Sequence, residues 1–584
     1  DSPIPDNLLL DLGRAEERLE DLKAAVTSPP ACALYGASQT GKSLLISSVI
    51  EDHSGQSIQS SVRSALGNPN DTKAKGLIFS KDLNPHKGVE ATAVVTRFSK
   101  YERIEEGENQ NCNAPVKAKV FSLPDLIKAM GLGFATECKR SSRVTEDSLK
   151  EVIESDDNFG IKGNKDLLKN AICEAYDYLT NNHESAENFE VSPANFVDLL
   201  NDETLTINTL ISVANYVFWD DWQIINNQFL RFYNLFPTLD LSNDELWLSW
   251  ETTHFILDSG REEKFDLPNG FDSTIEWDDI QLIKSGNRSE LLQTGAGRHI
   301  PYRDIQAIIA ELTIPIDNTV LKEYAQLTLS KGDILDIPGA MASAGGNKFI
   351  EEEYSNNNID VNHIIKRGKV NLFFEKYAKE LQSTTLVYTE NLGGNINLHN
   401  KIGPSIKQWG KYLYGQGWPS SLPEGMPQSE KSLVLCLTRI TDGMMNMSPV
   451  NQNNFATTKL DRFHQANYEW FSSYGAENKP FNNTFIIRYP GRGDDIGVDT
   501  QRENQWREIF ASDKLVEKHI EDFQVKWDAC FSEDGGVENL LSTLVQSMDN
   551  GPKRKKIKED LNYQIESLQR LIGSVYVDPS HQAE

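Results

Sequence analysis

A glycine-rich segment between a short apolar run and a helical pattern constrains this chain more than any other feature. Residues 36–43 read GASQTGKS, the apolar run ACALY at 31–35 precedes them, and an apolar segment at helical spacing, 44–50, follows. A phosphate-binding loop of the form G-x-x-x-x-G-K-[ST] requires this order of strand, loop and helix. The sequence therefore predicts an α/β domain built around a P-loop.

The residue types in the segment suit a bound phosphate. Gly36 and Gly41 permit backbone angles that aim N–H groups at a phosphate, and the helix N-terminus adds a favourable dipole. Lys42 is predicted to reach the β- and γ-phosphates, and Ser43 to supply an oxygen to Mg²⁺. The predicted nucleotide-binding residues of this segment are Gly36, Ala37, Ser38, Gln39, Thr40, Gly41, Lys42 and Ser43.

Other apolar runs have the length and composition of strands. Several are apolar on successive residues, which is typical of parallel strands covered by helices on both faces. Helical segments lie between several of them, so the chain is predicted to form an α/β sheet. Besides 31–35, the runs are 91–98, 333–337, 384–390, 432–438 and 483–489.

Two further stretches carry residues that a nucleotide switch needs. LDIPGA places Asp336 at the end of a predicted strand and Gly339 three residues later. In that setting D-x-x-G senses the γ-phosphate, with the aspartate in the Mg²⁺ shell and the glycine N–H at the phosphate. A switch threonine should approach Mg²⁺ and release it after hydrolysis, and Thr96 and Thr92 in GVEATAVVTRF are the candidates.

AVVTRF followed by LDIPG resembles the dynamin superfamily, whose switch threonine lies in V-T-R and whose third motif reads D-L-P-G. The resemblance favours Thr96 as the switch residue. It also implies guanine recognition by T-K-x-D, where this chain has TRITD with Thr438, Arg439 and Asp442. Arg439 replaces the lysine and Asp442 stands one position late, so both GTP and ATP stay open. The base pocket could also draw on Arg488–Gly491.

Hydrolysis needs a group that orients water, and Ala340 rather than glutamine follows Gly339. The dynamin resemblance places this function at the third and fourth loop positions. These are Ser38 and Gln39, in the reverse of dynamin's Gln-Ser order. Ser38, Gln39 and Thr96 are thus the predicted catalytic residues, and Ser43, Thr96 and Asp336 the predicted Mg²⁺ ligands.

A closer resemblance covers three stretches together: ALYGASQTGKSLL, EATAVVTRF and LDIPGA. They are similar to the SrfC-type family of bacterial virulence factors, whose members share an early phosphate-binding loop and a long insertion before D-x-x-G. The expected protein is a dynamin-like P-loop GTPase with a large, mostly helical insertion. Terminal helices are expected to form a neck or stalk.

The predicted domains follow from this layout. Residues 1–28 form a neck helix, 29–98 and 320–492 the G domain, 99–319 the inserted helical domain, and 493–584 a C-terminal helical region. Serines before prolines, in SLPD from 122 and SPAN from 192, predict helix starts within the insertion. The dense aromatics between Tyr216 and Trp250 are interpreted as its core.

The terminal helices each carry an apolar stripe. The stripes are expected to pack on each other, since a seam this narrow is not buried alone. The first consists of Leu8, Leu12, Ala15, Leu19, Leu22 and Val26, and the second of Leu561, Ile565, Leu568 and Ile572.

The net charge of −28 argues against binding to nucleic acid. KRKKIK at 553–558 is interpreted as a solvated helix face. The scattered cysteines, without a CxxC pair, indicate reduced thiols in the cytoplasm. We see neither a signal peptide nor an apolar run of transmembrane length, so membrane contact has no support in the sequence.

The expected function is GTP hydrolysis, with Mg²⁺, that drives or gates a conformational change. Two alternatives remain. An ATPase or kinase on the same core is favoured by the shifted Asp442. A nucleotide-gated scaffold with little turnover, acting with protein partners or with further copies of itself, is favoured by the missing glutamine.

Overall fold

The structure is a computed structural model. Its described residues are 8–36, 41–50, 94–100, 116–155, 159–161, 163–182, 184–236, 245–248, 253, 282–284, 291–292, 307–316, 321–338, 350, 361–391, 403–419, 432–438, 440, 461–467, 473–474, 481, 483–488, 504–505, 508, 530, 532, 534–548 and 550–575.

The structure describes eleven strands: β1 Ala31–Gly36, β2 Val95–Lys100, β3 Val116–Val120, β4 Glu245–Leu248, β5 Leu282–Lys284, β6 Leu291–Leu292, β7 Ile309–Ile316, β8 Asp333–Asp336, β9 Ser383–Asn391, β10 Leu433–Thr438 and β11 Thr484–Ile486. They form one sheet, in the order β11-β10-β9-β1-β8-β2-β7-β3-β4-β5-β6. Each of the six apolar runs predicted as strands overlaps one of them, so the prediction of an α/β sheet is confirmed.

The sheet is mixed. Strands β8, β1, β9, β10 and β11 are neighbours that run parallel. β2 is antiparallel to β8 and parallel to β7, and antiparallel strands continue from β7 through β3 to β6. Strands β3 to β7 lie within 99–319, the range predicted as a mostly helical insertion. That range therefore contributes strands to the same sheet.

Helices connect and cover the strands. They are α1 Leu8–Thr27, α2 Lys42–Val49, α3 Leu123–Glu137, α4 Glu146–Ile153, α5 Lys165–Asn182, α6 Pro193–Leu200, α7 Ile207–Trp219, α8 Gln223–Tyr233, α9 Glu323–Lys331, α10 Val361–Lys379, α11 Gly403–Tyr414, α12 Asp461–Ala466, α13 Val537–Ser547 and α14 Asn550–Val575. α2 contacts β1 and β8, α9 contacts β2 and β8, and α13 packs on both of these helices. α10 packs on α3, α11 and β9.

The predicted helix starts in the 99–319 range are confirmed. The Ser122 hydroxyl accepts a hydrogen bond from the Asp125 N–H at the start of α3, and Ser192 does the same for Asn195 at α6. A proline in each first turn adds no unpaired N–H there. The described aromatics of α7 and α8 are buried, which confirms their interpretation as core: Tyr216, Phe218, Trp219, Phe229, Phe232 and Tyr233.

The first and last helices pack side by side in opposite directions. Arg18 of α1 pairs with Asp560 of α14, and the Lys553 Nζ donates to the Ser28 carbonyl at 2.8 Å. Lys553 is buried, so the interpretation of 553–558 as a wholly solvated face is wrong at this residue. The reason is that Lys553 meets the C-terminal end of α1, where a cation complements exposed carbonyls.

The predicted stripes are not what joins the two helices. Ala15 and Leu22 of α1 are buried, but Leu12 and Val26 are exposed. On α14 the residues Leu561, Ile565 and Ile572 face solvent. The side-chain contacts described between the two helices are polar, Arg18 with Asp560 and Lys553 with the Ser28 carbonyl.

Within the described part of the chain, no helix combines the length and the apolar composition needed to span a bilayer.

Candidate functional site

The carboxyl ends of β1, β8 and β9 meet at one edge of the sheet, because these three strands are parallel neighbours. The chain leaves β1 toward β2 on one side, and β9 lies on the other side of β1. In open α/β sheets, ligands bind in the crevice at such a reversal of strand order. Gly36, Gly41 and Lys42, from the segment predicted to bind phosphate, also lie at this edge.

Gly41 and Lys42 form the start of α2. Gly41 is the N-cap residue and has φ 85°, a left-handed conformation that glycine adopts without strain. Lys42 is buried, and its Nζ donates a hydrogen bond to the Gly36 carbonyl at 2.9 Å. The ammonium group is therefore folded back over the beginning of the segment, next to the N-terminus of a helix.

Burial lowers the pKa of Lys42 to about 8, although the nearby carboxylates of Asp336 and Glu390 act in the opposite direction. Removing a cation from water penalises its charged form, and two acidic neighbours offset only part of that cost. A bound anion at this position would stabilise the charged form further. The site is thus electrostatically suited to receive a phosphate group.

Gly36 is required by the close approach of β9. A Cβ at this position would lie 2.3 Å from the Thr389 carbonyl oxygen and 2.5 Å from its hydroxyl. These distances are well inside van der Waals contact, so any larger residue would push β1 and β9 apart. Gly36 therefore has a packing reason in addition to the predicted role in phosphate binding.

Asp336 and Thr96 come together through strand pairing. Asp336 is the last residue of β8, and its Cα pairs with that of Leu34 in β1 and with that of Thr96 in β2. Both Asp336 and Thr96 are buried. The structure thus brings three predicted site residues, Lys42, Asp336 and Thr96, to one edge. Thr96 is held within a strand that is paired on both sides.

Sequence reasoning missed Glu390. It is buried near the end of β9, where it accepts hydrogen bonds from the Tyr388 hydroxyl at 2.7 Å and the Asn391 N–H at 3.0 Å. Its charge acts on Lys42. The sequence does show a carboxylate near the end of a predicted strand. Only the strand order shows that this strand lies beside β1 and that Glu390 is therefore close to Lys42.

Of the residues predicted to recognise the base, the structure describes Thr438 and Arg488. Thr438 ends β10, and its hydroxyl donates to the Glu390 carbonyl at 3.2 Å. Arg488 is buried and donates to the carbonyls of Cys530 and Ser532 at 2.9 and 3.1 Å. Arg488 therefore links the sheet to the C-terminal region. The remaining predicted site residues lie outside the described residues: Ala37, Ser38, Gln39, Thr40, Thr92, Gly339, Arg439 and Asp442, together with the side chain of Ser43.

Arg97 follows Thr96 in the V-T-R stretch and is the centre of a buried ionic network. Its guanidinium donates to both Glu311 carboxylate oxygens, at 2.7 and 3.0 Å, and to Asp333 at 3.1 Å. Burial alone would raise the pKa of Glu311, but Arg97 holds it at about 2. Arg97 thus joins β2 to β7 and β8 and fixes the strand on which Thr96 lies.

A protein-family model described as "Putative bacterial virulence factor" matches residues 3–202 and 276–583. The chain belongs to this family. The matched ranges include β1, α2, β2 and β8, and therefore every described residue of the edge that carries Lys42 and Asp336. Among curated proteins, none matches this virulence factor family member.

Proposed function

We propose that this member of the virulence factor family is a dynamin-like P-loop nucleoside triphosphatase that favours GTP. The observation that carries the proposal is the junction of β1 and α2. There a buried lysine at a helix N-terminus lies near Asp336, at the carboxyl ends of the parallel strands β1, β8 and β9. This combination suits the triphosphate of a nucleotide.

The donor set also fits Mg²⁺. Asp336 offers a carboxylate and Thr96 a hydroxyl, and hard oxygen ligands of this kind are those that Mg²⁺ takes in nucleotide sites. Asp336, Thr96 and Ser43 would hold the ion, which would neutralise charge on the β- and γ-phosphates. Gly41 and the α2 N-terminus would orient the phosphates, and Lys42 would move from the Gly36 carbonyl to the phosphate oxygens.

Lys42→Ala is expected to weaken triphosphate binding by about 2–3 kcal/mol, or roughly 30- to 150-fold, because a charge-assisted contact to phosphate is lost. Isothermal titration with a nonhydrolysable GTP or ATP analogue measures the change. The control is Lys23→Ala, since Lys23 is a solvent-exposed lysine on α1. Equal affinity of the wild type and Lys42→Ala would remove the basis of the proposal.

Nucleotide affinity is expected to fall as the pH rises above about 8. The pKa of Lys42 in the free protein is about 8, and a bound phosphate would raise it. The affinity therefore has its full value below that pH, where Lys42 is protonated. It falls as Lys42 loses its proton, by up to about tenfold per pH unit. Titrations between about pH 7.5 and 9.5 avoid the last phosphate ionisation near 6. Lys42→Ala should show no such slope, and a flat wild-type profile would contradict the prediction.

Selection of the base is proposed to depend on Asp442. A carboxylate accepts hydrogen bonds from N1–H and the amino group of guanine, whereas adenine offers no such pair of donors. A buried carboxylate facing adenine would be left unpaired, which costs roughly 1–3 kcal/mol of binding free energy. GTP and ATP affinities of the wild type and of Asp442→Ala separate the two nucleotides. Equal wild-type affinities would favour the ATPase alternative.

A nucleotide-gated scaffold with little turnover is the second candidate. The observation that favours it is Ala340, which stands where a water-orienting glutamine would follow Gly339. Multiple-turnover phosphate release, with Lys42→Ala as the background, distinguishes the candidates. Tight binding without release above that background would select the scaffold.

A further inference from the structure

Helix α14 presents an apolar stripe to solvent. Leu561, Ile565 and Ile572 are 41%, 46% and 60% exposed, and Leu568 between them is half-buried. We call these four residues the outer stripe. Folded proteins rarely leave a contiguous apolar surface of this kind uncovered without a binding role.

The face that α14 turns toward α1 is the more polar one. Lys553 and Asp560 make the contacts to Ser28 and Arg18. Residues that follow on the same side of the helix are half-buried, and two of the three are polar: Gln564, Ser567 and Leu571. At about 100° per residue, the outer stripe lies roughly a third of a turn from this face. Ile557, one turn earlier, packs against the core. From 561 to 572, however, the helix leaves its apolar side exposed, the reverse of what burial in a monomer favours.

The spacing of the outer stripe fits a second copy of the same helix. Its residues are separated by four, three and four positions, the pattern of the core positions of a coiled coil. This pattern is the same when it is read backward. Two antiparallel copies therefore place Leu561 opposite Ile572 and Ile565 opposite Leu568, so each contact joins a leucine to an isoleucine.

The local charge around the outer stripe does not oppose contact between two identical surfaces. The whole chain carries a net charge of −28, which opposes self-association over most of its surface. Segment 561–575 holds one acidic residue, Glu566, and one basic residue, Arg570, so its net charge is zero. The positions that flank the stripe carry uncharged amides, Asn562, Gln564 and Gln569.

We propose that the outer stripe is a self-association surface, through which two copies of this chain pair by antiparallel contact of α14. The proposal goes beyond nucleotide binding and does not depend on it. Lys42 and Asp336, two predicted site residues, are not part of the outer stripe.

Sedimentation velocity of the full chain at increasing concentration tests the pairing. The wild type is expected to pass from monomer to dimer. Ile565→Asp should weaken the dimer by at least about tenfold, because a charge would be buried between the two copies. The matched control is Tyr563→Asp, since Tyr563 lies on the same helix and is 62% exposed but is outside the outer stripe. Its dimerisation should equal that of the wild type.

Disulfide trapping tests the orientation. Chains carrying Leu561→Cys are mixed with chains carrying Ile572→Cys, and the antiparallel arrangement predicts that cross-links join the two variants to each other. Wild-type chains give the background from the native cysteines. A wild type that stays monomeric, as it would if another segment or another protein covered the stripe, overturns the proposal. So would equal loss of the dimer in Ile565→Asp and Tyr563→Asp, or cross-links that join like variants only.

Discussion

Replacing Arg97 by alanine is expected to lower the free energy of unfolding of the sheet by about 3–5 kcal/mol, because one partner of a buried ionic network is removed. Arg97, Glu311 and Asp333 are all buried. Without the guanidinium, Glu311 on β7 and Asp333 on β8, the two strands that flank β2, lose their shared counterion. Glu311 also loses two of the donors that hold it.

Hydrogen exchange of the β2 and β7 amides, together with denaturant unfolding, measures the loss. Arg143→Ala is the matched control, because Arg143 also pairs with a carboxylate, Glu190, at 3.0 Å but does so in solvent. That exposed pair should contribute at most about 1 kcal/mol. If the two variants lose the same amount, the network around Arg97 does not stabilise the sheet.

The strands that could be predicted from the sequence are those with a short run of successive apolar residues. β1 and β10 are buried throughout, and each is apolar up to its last residue. β3 and β7 were not predicted, although both lie in the sheet. Lys117 and Lys119 alternate with apolar residues in β3, and Glu311 interrupts the apolar run of β7.

The Arg97 network shows why polar residues in strands are hard to interpret from sequence. Arg97 lies 214 residues from Glu311 and 236 from Asp333. Nothing local in the sequence indicates that these three charges meet. Only the strand order, with β2 between β8 and β7, brings the three groups together.

The sequence predicted the wrong face of α14 as the one that packs on α1. Periodicity identifies an apolar stripe on a helix, but it does not identify which neighbour covers that stripe. In this protein, Arg18–Asp560 and Lys553–Ser28 select the other side of α14. The pairing of the two chain ends could be anticipated, whereas its chemistry could not.

Local sequence patterns predicted only part of the candidate site. Lys42 and Asp336 follow strands that sequence identifies easily, and parallel strands bring their carboxyl ends to one edge. Glu390 also lies near such an end, but its nearness to Lys42 depends on β9 lying beside β1. Contacts between residues on adjacent strands require the topology, which local patterns do not supply.

The crossing of α3 and α10 gives the second large effect. A Cβ at Gly368 of α10 would lie 1.5 Å from the Ala129 carbonyl oxygen and 2.8 Å from the Gly133 amide nitrogen. Both obstacles are backbone atoms of α3, so no side chain can rotate away. Gly368→Val should therefore cost about 3 kcal/mol or more, at the upper end of overpacking, because the two helices must separate.

Gly13→Val is the matched control for this prediction. Gly13 is also a helical glycine, in α1, but nothing lies within 4 Å of the position its Cβ would take. Valine has a helix propensity somewhat better than that of glycine, so this variant should change stability by no more than about 0.5 kcal/mol. Thermal unfolding and hydrogen exchange of the α3 and α10 amides compare the two. In Gly368→Val the amides of α3 and α10 should both exchange faster, because the backbones of the two helices are in direct contact at this residue. Unchanged protection in α3 would mean that the two helices do not cross at Gly368.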